Sequence, residues 1–375
     1  MIRVLRVGEM PSKKFPGRGL ACYVLSKNKK LKTTLFTPYQ CFNDSLIPLK
    51  FKNLTLRKYL LLKNRNAQKL SNSAKKIKTF LNLFVYFFAN IQILIREVFN
   101  TYDVVHIHNP AYSPLFIFAK FRGSICSYTS HGYDSFTVSN SFLLRIFLQK
   151  VDIIFCMAES QVNQFKKIFP KKKIIFASNG VDFELFNNEK KYQERKKNII
   201  CIGSLTWKKD YATIIKSFFE ISKKIKNWKL IIIGIGPELR NLKNLITLYN
   251  LESKVILRGN LSRKDVATEL RESRIYLINS ITEGLPKSLI EAMASGCACI
   301  SSDVGECKNV LKKCGIIIQH KNVMETTNAL LKLINDDKIS EIYSEKSKKI
   351  AKNYSWENYS NIQINAYKEL LNLKK

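Results

Sequence analysis

Two glutamates, Glu283 and Glu291, stand with seven residues between them in the stretch TEGLPKSLIEAMASG. Carboxylates accept hydrogen bonds only, which suits them to hold hydroxyl groups. Glu283 can accept from the hydroxyls of a sugar and Glu291 can clamp a ribose diol, while the amides around Gly284 and Leu285 can hold the sugar or a phosphate.

The elements that must position them are legible from the local pattern. The apolar run 275–278 is short and rich in β-branched and aromatic residues, as a buried parallel strand is. Residues 280–285 break it. Pro286 is expected at the first position of a helix, where its missing amide costs nothing, and Gly296 suits the left-handed residue after a helix end. The helix is therefore expected over 286–295, about 15 Å long at 1.5 Å per residue. Ligands of open α/β sheets collect beyond the carboxyl ends of the strands, where helix amino termini attract anions. A sugar joined to phosphate fits that placement.

The segment E-G-L-P-K-S-L-I-E-A-M-A-S-G resembles the signature of the retaining glycosyltransferases typed by glycogen synthase, the glycosyl transferases group 1. Its two glutamates, the E-x7-E motif, fall on Glu283 and Glu291. The resemblance implies an α/β chain of GT-B fold: two Rossmann-like domains with parallel sheets facing across a cleft, and a C-terminal helix crossing back to the first domain. Donor-binding roles carry over to Gly284, Leu285, Pro286, Lys287 and Ser288 as well.

Other stretches extend the resemblance. After the run 198–202 comes G-S-L-T-W-K-K-D. It is similar to the family's G-R-L-x-x-x-K-G, whose arginine and lysine grip the donor diphosphate. Lys209 matches, whereas Ser204 replaces the arginine and Asp210 the glycine; Asp210 is expected to cap a helix from Tyr211. Lys208 or Arg18 is available to replace the missing contact. Gly17 and Gly19, in F-P-G-R-G-L-A, resemble the family's glycine-rich loop over the donor. By themselves they complete no G-x-G-x-x-G fingerprint. Gly236 ends a second strand, KLIIIGIG, and permits close approach. Arg258, Gly259 and Asn260 lie where the family reads the base. His131, in H-G-Y-D, matches the family's histidine near the donor sugar, and N-G-V-D at 179–182 recurs near its domain junction. With Glu283 and Lys209, His131 completes the expected catalytic set.

Domain boundaries follow from composition. The 375 residues suit two cores rather than one, and 46% hydrophobic content excludes wholesale disorder. The acceptor-binding domain is expected over 1–186, a charged linker over 187–197, the nucleotide-sugar domain over 198–353, and the returning helix over 354–375. Elements 303–306 and 315–318 are expected to finish the second sheet.

The balance of 63 Lys+Arg against 29 Asp+Glu, a net charge of +34, favours a polyanionic partner. Basic and apolar residues mix over 50–100, as in a helix lying on an anionic membrane. The apolar run 80–95 is too short and too interrupted to span one. Nine scattered cysteines without a C-x-x-C pair read as reduced core residues of a cytosolic protein. The amino terminus reads as a first strand rather than a signal peptide, and export is not expected.

His106 and His108 share a strand face without a third ligand nearby, and Cys297 and Cys299 lack a matching pair, so no metal site is expected. No D-x-D occurs in the chain. No cofactor is expected. The expected function is metal-independent, retaining transfer of a sugar from a nucleotide-diphosphate donor to a glycan acceptor, lipid-linked, in bacterial cell-surface polysaccharide synthesis. Peripheral attachment to the inner face of the plasma membrane goes with it. A nucleotide-sugar 2-epimerase on a similar scaffold is the alternative enzyme. A basic nucleic-acid-binding protein is the non-enzymatic one, and it lacks any recognised binding module.

Overall fold

The computed structural model describes residues 1–8, 25–26, 28–36, 90–91, 93–95, 100–131, 134–178 and 180–373. Gly17, Gly19, Arg18, most of the basic and apolar stretch 50–100, Gly132 and Asn179 lie outside the described residues. The chain divides into two compact units: Met1–Met157 with Gln161–Ala177 and Ser360–Lys375, and Ala158–Ser160 with Ser178–Tyr359.

The first unit holds a six-stranded sheet in the order β2-β1-β3-β4-β5-β6. Its strands are β1 (Ile2–Val7), β2 (Leu31–Phe36), β3 (Val104–Ile107), β4 (Ile125–Ser130), β5 (Ile153–Cys156) and β6 (Lys173–Phe176), all parallel. Side-chain alternation splits them cleanly. Leu5, Val7, Val105, Ile107, Cys126, Tyr128, Ile154 and Cys156 join one apolar cluster. The other parity is polar at the centre, where Arg6, His106 and Ser127 occupy one register row and all are fully buried.

The C-terminal helix Trp356–Asn372 meets that polar face. Arg6 donates to Gln363 Oε1 at 3.2 Å, and His106 Nδ1 lies 2.5 Å from the Tyr367 hydroxyl. The helix starts within the second unit, and its residues from Ser360 onward belong to the first.

The second unit holds β7 (Lys196–Ile202), β8 (Lys229–Ile233), β9 (Val255–Gly259), β10 (Ser273–Ile278), β11 (Ala298–Ser302) and β12 (Gly315–Ile318). Their order is β12-β11-β10-β7-β8-β9, again parallel. This is the doubly wound order of dinucleotide-binding sheets, and β7 and β10 flank its topological switch point. Both faces are apolar: Ile199, Cys201, Leu230, Ile232, Ile275 and Leu277 face one cluster, and Ile200, Ile231, Ile233, Tyr276 and Ile278 the other. That double burial explains why these strands read as continuous apolar runs.

Local expectations need three corrections. The helix after β10 is Lys287–Ala294, with Pro286 as its cap at ψ 122° rather than its first residue, because extended backbone at 286 turns the chain out of the loop. Asp210 precedes the helix Tyr211–Ser222 in a left-handed conformation, φ 46°, and makes no capping bond; its carboxylate accepts from Asn279 instead. Residues 303–306 form a turn after β11, with Gly305 at φ 53°, and no strand. Residues 187–197 lie within the second unit, where Asn188, Tyr192 and Arg195 are buried. The seven described cysteines are buried, and no disulfide joins any two of them. Among the described residues no three His, Cys, Asp or Glu side chains gather as a metal site, and no helix is long and apolar enough to cross a membrane.

Candidate functional site

The second unit brings its candidate residues to the loops that leave the carboxyl ends of β7, β8 and β10. After β7, Gly203 and Ser204 lead into a single 3-10 turn, Trp207–Lys209. The Lys209 ammonium forms an ion pair with Glu283 Oε1 from the loop after β10, and the two side chains are only 19% and 16% exposed. The same loops are laced by Ile281 N–H donating to Lys208 O at 2.8 Å and by Asn279 Nδ2 donating to Asp210 Oδ2 at 3.3 Å. Asn279 and Asp210 are site residues that sequence reasoning missed as a pair. The only local signal was an aspartate where the family pattern has glycine, and the left-handed backbone there accounts for both.

Close backbone packing fixes the loop shapes. A Cβ on Gly236 would sit 2.2 Å from Leu205 O, so the approach Gly236 permits is to the chain's own backbone. A Cβ on Gly305 would sit 2.1 Å from Gly284 O, and Glu306 N–H donates to that carbonyl at 2.8 Å. Gly305 therefore backs the loop that carries Glu283. Gly284 is exposed, and a Cβ there would meet nothing within 4 Å. Leu285 beside it is half-buried and Ser204 is exposed.

Glu291 lies in the second turn of the helix Lys287–Ala294, and Arg263 Nη2 is 3.8 Å from its Oε1. Burial pushes its carboxyl up to about 7, against the opposing pull of Arg263 and Lys287. Burial likewise holds the Lys287 ammonium below its ordinary value. Ser288 Oγ lies 2.8 Å from the hydroxyl of Tyr276, which joins the helix start to β10. Arg258, at the end of β9, is half-exposed and paired with Glu269 at 3.1 Å. Acceptor, ammonium, open glycine and helix amino terminus thus stand together around the switch point. That arrangement can hold an anion and hydroxyl groups at once.

His131 belongs to the first unit, directly after β4, and is buried. Its backbone N–H donates to Asp134 Oδ2 at 2.8 Å, and the Tyr128 hydroxyl donates to the same oxygen at 2.9 Å. Its ring Nε2 lies 3.2 Å from His108 Nδ1, and His108 Nε2 lies 3.0 Å from Arg6 Nη1.

Residues 182–350 match the family model of Glycosyl transferases group 1, and residues 65–185 that of Glycosyltransferase Family 4. Residues 182–350 are thus similar to a glycosyl transferases group 1 domain. The domain covers the loops bearing Lys209, Glu283 and Glu291. An uncharacterized glycosyltransferase of Haemophilus influenzae is 30% identical over 55% of this chain and 58% of its own length. The UDP-Gal:alpha-D-GlcNAc-diphosphoundecaprenol alpha-1,3-galactosyltransferase of Escherichia coli is 27% identical over 65% of this chain and 69% of its own. The chain spans only 58% and 36% of the length of two of the curated relatives it matches. The solved sucrose-phosphate synthase of Thermosynechococcus elongatus is similar in fold, with a TM-score of 0.70 over 100% of both chains at 14% identity. The two parallel six-stranded sheets are those of the GT-B fold.

Proposed function

We propose that the chain is a glycosyltransferase that moves a sugar from a nucleotide-diphosphate donor to a glycan acceptor, lipid-linked, in bacterial cell-surface polysaccharide synthesis. The observation that carries this reading is the Lys209–Glu283 pair at the switch point of the group 1 domain, above the amino terminus of the helix Lys287–Ala294. Donor binding exchanges that pair: the diphosphate takes Lys209, and sugar hydroxyls take Glu283. The open face at Gly284 admits the sugar, the amides near Leu285 and Pro286 hold it, and Glu291 accepts from the ribose diol. Ser204, Lys287 and Ser288 line the diphosphate side.

Departing charge is met by Lys209, the loop amides and the helix amino terminus, an electrostatic stabilisation that needs no proton transfer. Transfer proceeds with retention and without a divalent clamp, in keeping with a chain that has no D-x-D. His131, through its ring or the adjacent backbone, contacts the reacting sugar. The relative whose name gives a diphosphoundecaprenol-linked acceptor supports a lipid-linked acceptor here, and a place at the inner face of the plasma membrane goes with that reading. The same family domains leave the epimerase and nucleic-acid readings unfavoured.

A panel of nucleotide sugars in a thermal-shift assay tests the reading. A donor at about 100 times its dissociation constant stabilises the native state by about 2.7 kcal/mol. At least one nucleotide sugar is expected to raise Tm in the native chain and to lose that effect in Lys209→Met. A panel in which no nucleotide sugar raises Tm overturns the assignment. Product formed from a nucleotide sugar alone, with no acceptor, points to the epimerase.

A further inference from the structure

We infer that Arg6 and His108 are positioning residues that set the tautomer of His131, holding its Nε2 as an acceptor and its proton on Nδ1. The inference for catalysis rests on the reading that His131 meets the reacting sugar; the tautomer itself does not.

Arg6 is fully buried on the polar face of the first sheet, donating through Nη2 to Gln363 Oε1 and lying through Nη1 at 3.0 Å from His108 Nε2. Arginine has five donors, no acceptor, and stays charged at any accessible pH. His108 Nε2 must therefore be the acceptor, with no proton of its own. A neutral imidazole carries one proton, so that of His108 sits on Nδ1. Nδ1 is the atom 3.2 Å from His131 Nε2. His131 Nε2 accepts in turn, and the single proton of neutral His131 is left on Nδ1. One obligate donor thus fixes two rings in sequence.

Surrounding contacts hold the chain of bonds in register. The rings of His108 and His131 are 5.5 Å apart between centroids and tilted by 36°. Asp134 pins the His131 backbone, and Gln363, which accepts from Arg6, comes from the C-terminal helix. Among the described residues no carboxylate pairs with Arg6, so its charge is met by neutral acceptors. An uncompensated buried cation opposes a second positive charge on either neighbouring ring. His106, beside them, is held well below its ordinary value by burial and by Arg6. Because Arg6 is 0% exposed, it cannot itself reach a ligand. Any effect it has on transfer is indirect, and His108 is its contact on the side of His131.

The chain has only four histidines, which makes the test direct. Full-length protein labelled with 15N-histidine gives, in long-range 1H–15N correlation spectra at pH 7, the protonated nitrogen of each ring. His108 and His131 are both expected as the Nδ1–H tautomer. An Nε2–H tautomer or an imidazolium at His131 overturns the inference, whether or not any variant folds. In Arg6→Gln the obligation on His108 is lifted. His131 is then expected to show averaged tautomers, with kcat lowered about tenfold or more and donor KM changed less than about twofold. Arg6→Lys, which keeps a donor-only group, is expected to restore the Nδ1–H signature. Arg6→Gln spectra identical to those of the native chain also overturn the inference. The expected tautomers in a protein that transfers no sugar uphold the relay and sink the functional reading instead.

Discussion

Glu291 is the carboxylate whose surroundings change it most. Burial lifts it from 4.5 to about 7, so it is neutral in acid and ionised only above neutrality. As a carboxylate it accepts two hydrogen bonds from a diol; as an acid it loses part of that capacity. Donor KM is therefore expected to rise as pH falls through about 7. Stability runs the opposite way. A carboxyl raised in the folded state contributes stability that is present below the unfolded value and lost as pH rises through the folded one. Glu291→Gln is accordingly expected to be more stable than the native chain above pH 7, by at most about 3 kcal/mol, with no gain near pH 4, while binding donor more weakly. Melting curves of both proteins from pH 4 to 9 check this, and parallel curves overturn it. Spacing in the sequence picked out Glu291, but its upward shift comes from burial that only the fold creates, against the pull of Arg263 and Lys287.

The helix Lys287–Ala294 is eight residues long, and its carboxyl end would be exposed to orphaned carbonyls without help. Help comes from Arg195. Its Nη1 donates to Ser295 O at 3.1 Å and to Gly296 O, and Ser344 Oγ donates to Gly296 O at 2.6 Å. Asn188 Nδ2 adds a bond to Ser295 O at 3.3 Å. A cation on helix-end carbonyls also meets the negative end of the helix dipole. Arg195→Met removes the guanidinium donors while keeping the side-chain stem. It is expected to cost about 2 kcal/mol, because charged hydrogen bonds are lost although Ser344 and Asn188 still reach the two carbonyls. Urea unfolding followed by circular dichroism measures it, and a loss below about 1 kcal/mol overturns the capping role. The amino end of this helix was legible from proline and its far end from glycine. Arg195 was not, since in sequence it sits in a charged run, NNEKKYQERKKN, whose composition gives no hint that its side chains cap a helix 100 residues away.

At the scale of the whole chain, the strands of the second unit were legible because parallel strands buried on both faces read as apolar runs, and that unit carried its motif in one continuous segment; β2, LKTTLF, is partly exposed and has no such run. The polar face of the first sheet was not. Arg6 and Gln363 are 357 residues apart, and only folding places them in one hydrogen-bonded row with His108 and His131. Net charge belongs to this scale too. With 63 Lys+Arg against 29 Asp+Glu, the chain is repelled by itself and attracted by any anionic surface. A lipid-linked acceptor would present such a surface, and each cation near it contributes about 1 kcal/mol. Cosedimentation with vesicles should therefore be strong on phosphatidylglycerol-rich lipid at low salt. It should weaken sharply in 1 M salt, where the screening length falls to about 3 Å from about 10 Å at 0.1 M. Vesicles of neutral lipid should recover little protein at either salt. Recovery that is indifferent to both lipid charge and salt removes electrostatic docking, and the excess of cations would then need another polyanion.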